Sequence, residues 1–77
     1  MNQKKELLEI DMDRVNDLRC QKKWSWQDLA DESCLSMDTL RYAVIHWVRP
    51  FVAEFLSTGL GVPKEQLIKK IHTETEA

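Results

Sequence analysis

Ser25-Trp26-Gln27-Asp28-Leu29-Ala30-Asp31-Glu32-Ser33-Cys34-Leu35-Ser36-Met37-Asp38-Thr39-Leu40 is the stretch that decides the fold. Ser25 with Asp28 three positions on has the form of a capping box, with Asp in the Glu place, so a helix starts near Trp26. Leu29, Ala30 and Ser33 supply its narrow inward face and predict a short helix over about 26–32. Cys34-Leu35-Ser36 interrupts it. Ser36 can then cap another helix, about 37–47, in which Leu40, Ala43 and Trp47 share a face. Two short helices joined by a tight turn, the second capped by Ser, have the signature of a helix-turn-helix.

Working outward, Leu8, Met12, Val15 and Leu18 recur at the spacing of one buried stripe, and a helix is expected from Asp11 to Lys22. The first ten residues are left open between extending that helix and contacting a second copy. Pro50 suits the first turn of a fourth helix, with Ala53, Leu56 and Leu60 inward and Gly59 or Gly61 closing it. Pro63 opens an expected fifth, contributing Leu67, Ile68 and Ile71. Residues 72–77 have no apolar anchor and are expected to fray. With two Gly, two Pro and no long period-two run, the expectation is all-α, a compact five-helix bundle over residues 11–71.

The bulk properties agree with one small soluble domain. The chain has 77 residues, 43% of them hydrophobic and 31% charged, and a net charge of −2. A domain of this size buries only about 60% of its unfolded surface, so a dimer interface would help it. No stretch approaches the ~20 apolar residues of a membrane span. The N-terminus carries no apolar signal core, and a cytoplasmic location with no membrane partner is expected. Cys20 and Cys34 are expected to be free thiols. With His46 and His72 they match no zinc spacing, and no nucleophilic triad, Gly-rich phosphate loop or hydrolase motif is present. No metal, cofactor or catalytic residue is expected, and the chain does not read as an enzyme.

Arg14-Val15-Asn16-Asp17-Leu18-Arg19 followed by Trp24-Ser25-Trp26-Gln27-Asp28-Leu29-Ala30 resembles the opening of the lambda-repressor/Cro-like (Xre) helix-turn-helix family. The likeness continues through Leu35-Ser36-Met37-Asp38-Thr39-Leu40, similar to the start of the family's recognition helix. It extends to Phe55-Leu56-Ser57-Thr58-Gly59-Leu60-Gly61-Val62 with Glu65-Gln66-Leu67, similar to its fourth helix, Leu-Gly-Val turn and fifth helix. It covers about residues 12–68. The resemblance implies a lambda-repressor-like bundle and a transcriptional regulator that binds duplex DNA as a homodimer on a pseudo-palindromic operator. The positions facing DNA would be Gln27, Ser36, Met37, Asp38, Arg41 and Tyr42, with Arg41 able to take a guanine and Asp38 a cytosine amino group. Trp26 stands where the family usually has Gln, and Cys34 where it has Gly. The stretch Ile45-His46-Trp47-Val48-Arg49 is shorter and more apolar than the family's loop.

Charge opens a second reading. Residues 24–46 have Arg41 as their only base against Asp28, Asp31, Glu32 and Asp38, a net of −3. Phosphate contacts supply much of the affinity for DNA, and Lys22, Lys23 and Arg49 are the nearest additional bases. The alternative is an acidic helix-turn-helix-fold protein that binds a basic protein partner, like a phage-type inhibitor, antirepressor or anti-CRISPR. Trp26, Met37, Asp38 and Tyr42 would form its contact surface, with Trp26 toward solvent as an anchor. Trp24 and Trp47 are expected in the core.

Overall fold

The computed structural model describes residues 3–76, and the side chains of residues 6–72. It contains four α-helices: α1 (Met12–Gln21), α2 (Trp26–Ser33), α3 (Met37–Ile45) and α4 (Pro50–Leu60). A 3-10 turn at Lys64–Gln66 follows. Strands β1 (Gln3–Ile10) and β2 (Ile68–Glu76) pair antiparallel. The fold is therefore a mostly helical small domain closed by a two-stranded sheet of its own termini.

This corrects the five-helix, all-α expectation at both ends. Pro63 opens only the 3-10 turn, after which Ile68 and Ile71 belong to β2. The first ten residues hold a strand where a helical extension was one of the options, and positions 72–76, expected to fray, pair with 3–7. The register places Leu8 opposite Ile71 and Glu9 opposite Lys70, then shifts so that Ile10 meets Ile68. One extra residue on β2 bends the ribbon there. On its other side β1 meets the α3–α4 connection, with Leu8 and Val48 exchanging backbone hydrogen bonds of 2.7 and 2.8 Å. The Asp11 amide donates to Leu67 O at 2.8 Å, tying the start of α1 to the end of the 3-10 turn.

The core follows from the helical stripes and the strand alternation. Val15, Leu29, Ala53, Leu56 and Leu67 are fully shielded, with Leu8 and Ile10 entering from β1 and Val52 and Leu60 from α4. Helix α1 is capped by Asp11, which accepts from the Arg14 amide at 3.1 Å. Helix α4 starts at Pro50, where a missing N–H costs nothing, and ends at Gly61 with φ +72°. Gly59 lies where α4 crosses α2. A Cβ there would collide with Ser33 Oγ and stand 2.9 Å from Ser33 Cα and 3.0 Å from Glu32 O. The close crossing thus requires glycine at this position.

Candidate nucleic-acid interface

Three local devices set the geometry of α2 and α3. The first is the complete capping box: Ser25 Oγ accepts from the Asp28 amide at 3.1 Å, and the Ser25 amide donates to Asp28 Oδ2 at 2.9 Å. The second is the turn. Cys34 adopts the left-handed conformation at φ +56°, its amide donates to Asp31 O at 3.3 Å, and the Leu35 amide donates to Ala30 O at 2.9 Å. This is a Schellman ending, and the buried contact it favours falls on Ala30 and Leu35. A cysteine here carries a backbone cost of about 1 kcal/mol that glycine would avoid. The third is Ser36, whose Oγ accepts from the Thr39 amide at 3.1 Å and lies 2.8 Å from Thr39 Oγ1.

Leu40 and Ala43 then hold α3 to the core. That phase leaves Asp38, Arg41, Tyr42 and Ile45 exposed along one stripe at spacings of three and four residues. Arg41 Nη1 lies 3.5 Å from Asp38 Oδ1. Both side chains are largely in water, so the pair is weak and exchangeable. Gln27 is exposed and donates to Asp31 Oδ1 at 3.0 Å. Ser36 is exposed, and Met37 is half-buried against the core. The structure therefore groups Ser36, Met37, Asp38, Arg41 and Tyr42 on the first turns of α3, with Gln27 on the first turn of α2.

Two tryptophan expectations are revised. Trp26 does not point freely to solvent; it is half-buried, packs on the core and has the Arg19 guanidinium 4.5 Å above its ring. Arg19 also donates to Trp24 O at 2.6 Å and to Asn16 Oδ1, locking the end of α1 to the start of α2. Trp47, expected in the core, is 37% exposed. Helix α3 ends at Ile45, so the helical phase that put Trp47 beneath Leu40 and Ala43 no longer applies. Trp24 is half-buried with Lys22 Nζ 5.1 Å from its ring centre. Lys22 and Lys23 are exposed beside the start of α2.

Sequence reasoning marked Ile45 as part of an apolar stretch fit for a buried seam or a partner surface, and passed over other exposed apolar residues. Val44 and Ile45 on α3 are 58% and 74% exposed, and Phe51 and Phe55 lie on the outer side of α4. For Ile45 the signal was available, since Leu40 and Ala43 define an inward phase that excludes position 45; Val44, four residues after Leu40, borders the inward face and gave none. Trp26, Met37, Leu40, Arg41 and Val44 border one shallow hollow of about 430 Å³ between the two helices. Cys20 and Cys34 are free and exposed. Among the described residues no helix is long and apolar enough to cross a membrane. No protein-family model, curated protein or solved structure matches the chain.

Proposed function

We propose that this chain is a small transcriptional regulator that binds duplex DNA through α2 and α3, working as a homodimer on a pseudo-palindromic operator. The observation that carries the reading is the outward stripe of α3. A nine-residue helix, capped by Ser36 and anchored by Leu40 and Ala43, presents Asp38, Arg41 and Tyr42 to solvent directly after the tight Cys34 turn. A major groove admits such a helix, and Arg41 can exchange its weak tie to Asp38 for the two acceptors of a guanine. Gln27, Ser36, Lys22 and Lys23 then supply polar or charged groups for the flanking phosphates.

The test is retention of a random-sequence duplex pool on the purified protein at about 50 mM and about 200 mM salt, with the bound fraction sequenced. An enriched palindrome whose retention falls steeply with salt is the expected result. No retention at the lower salt overturns the proposal.

The acidic charge of residues 24–46, together with the exposure of Val44 and Ile45, favours a second reading in which the same surface binds a basic protein. Asp38→Lys would then weaken that complex, whereas Trp26, packed on the core beneath Arg19, is no longer the solvent-facing anchor of this reading.

A further inference from the structure

We propose that the outer aromatic face of α4, made by Phe51 and Phe55 with Trp47 beside them, is the seat of a second copy of this chain, whose α4 packs antiparallel across a two-fold axis. This deepens the homodimer of the proposed function and is testable without DNA.

Helix α4 already satisfies the core with Val52, Ala53, Leu56 and Leu60, each no more than 2% exposed. Nothing within the monomer calls for phenylalanine at 51 and 55, yet both rings stand outside that stripe. They meet edge to face at 5.7 Å and remain 46% and 42% exposed. A hollow of about 430 Å³ adjoins the face on the β1 side, with Leu7, Trp47, Arg49 and Phe51 along it and Asp38 and Tyr42 of α3 at its far edge. With Trp47 at 37% exposure, the three rings leave roughly 250 Å² of aromatic surface uncovered per copy, taking about 200 Å² for each ring. Tyr42 stays outside this face, on the stripe offered to DNA. The uncovered area is about a third of the roughly 800 Å² that each partner buries in a standard interface, an apolar centre that leaves the rest to a polar rim.

Charge selects the occupant. Arg49 is the N-cap of α4, makes no side-chain cap bond, and the first turn of the helix holds no acid. A guanidinium therefore sits at the positive end of the helix dipole, where an anion is favoured. Among the described residues the Arg49 guanidinium has no hydrogen-bond or ion-pair partner, its carbonyl alone accepting from the Val52 amide at 3.1 Å. Glu54 is the single acid of α4 and is exposed between the two phenylalanines, in a 3.7 Å pair with Lys64 that is open to water on both sides. When two α4 helices lie antiparallel with Phe51 on the partner's Phe55, Arg49 comes within about one helical turn, ~5 Å along the axis, of the partner's Glu54. The two-fold axis makes that contact twice, and a parallel arrangement would set Arg49 beside Arg49 instead. The patch is complementary to itself in charge.

The deciding experiment is sedimentation equilibrium of the full chain without DNA, from about 5 to about 200 μM, a range that brackets a micromolar dissociation constant. The expected mass at the upper end is twice the 9.1 kDa of one chain. Phe51→Ser/Phe55→Ser is expected to be monomeric throughout, with an unchanged far-UV circular dichroism spectrum. Arg49→Glu should weaken association about tenfold or more, and Arg49→Glu/Glu54→Arg should recover most of that loss. If the phenylalanine pair disturbs the spectrum, the charge reversals decide. A wild-type mass of 9.1 kDa at every concentration, a dimer indifferent to the phenylalanine pair, or a double reversal no stronger than the single one would each overturn the proposal. A dimer that retains no duplex would sink the proposed function and leave this face standing; a monomer that retains a specific duplex would do the reverse.

Discussion

Gly59→Ala tests whether the crossing of α2 and α4 is as tight as the structure has it. The added methyl would collide with Ser33 Oγ, and would stand 2.9 Å from Ser33 Cα and 3.0 Å from Glu32 O. A serine hydroxyl can rotate aside, whereas the two backbone atoms cannot move without shifting α2 as a whole. Overpacking of this kind costs about 1–3 kcal/mol, and the backbone contacts put this site in the upper half of that range. Alanine recovers up to about 1 kcal/mol of helix propensity, less here because Gly59 is next to the last residue of α4. The net expectation is a loss of about 1–2 kcal/mol. For a domain of this size that lowers Tm by roughly 5–15 °C. Thermal unfolding followed by far-UV circular dichroism measures it. Ser33→Ala completes the cycle, because Ser33 Oγ is buried with no hydrogen-bond partner among the described residues. Its removal alone should be neutral or stabilising by up to about 1 kcal/mol. In the double variant, part of the Gly59→Ala loss should return, with the backbone contacts retaining the remainder. An unchanged or raised Tm for Gly59→Ala would refute the close crossing.

The turn, the cap of α2 and the exposed stripe of α3 each carry one further expectation. Cys34→Gly releases a non-glycine residue from φ +56° and should raise stability by up to about 1 kcal/mol in thermal unfolding; a lowered Tm would refute the backbone cost assigned to this turn. Ser25→Ala removes the side-chain half of the capping box at the start of α2, leaving the amide of residue 25 its bond to Asp28 Oδ2, and should cost about 1 kcal/mol in chemical denaturation; no change in midpoint would mean that water replaces the lost bond fully. Arg41→Ala should weaken binding to a selected operator by about 1–3 kcal/mol and relax preference at one base pair, as read by competition with single-base variants. An unchanged profile would remove Arg41 from the reading surface.

The helices were legible because their signals are local. Ser25 with Asp28, Ser36, Pro50 and Gly61 each act within one turn of the chain, and each occupies the cap or first-turn position its chemistry suggests. The terminal sheet was not legible, because the partner of each strand lies some sixty positions away. Leu67, Ile68 and Ile71 fit a helical stripe as well as a strand, and nothing near them says that β1 will be alongside. One signal did exist, the period-two placement of Ile71, Thr73 and Thr75 with β-branched side chains. Trp47 illustrates a different failure. Its inward phase depended on α3 continuing past Ile45, whereas the chain there turns extended so that Val48 can pair with Leu8. Strand β1 thus stands behind both differences, pairing with β2 where a fifth helix was expected and with Val48 on its other side next to Trp47.

Charge limits what one copy of the chain could gain from DNA, and the α4 face bears directly on it. Residues 24–46 contribute one base, already near Asp38, so a single copy would make few phosphate contacts through its reading helices. Counterion release from so few contacts yields little affinity. Two copies fixed to each other change the arithmetic, because once the first head engages, the second faces its half-site at a high effective concentration and the two modest affinities reinforce each other. Rigidity matters as much as number here, since a loosely tethered pair would lose much of that gain. The proposed α4–α4 interface would anchor each copy through the same helix that crosses α2 at Ser33 and Gly59, so that packed backbone instead of a flexible linker would set the positions of α2 and α3. If the proposed DNA binding holds, the aromatic face would supply the affinity that the acidic surface of α2 and α3 lacks. A protein-binding role would place no such demand on a second copy.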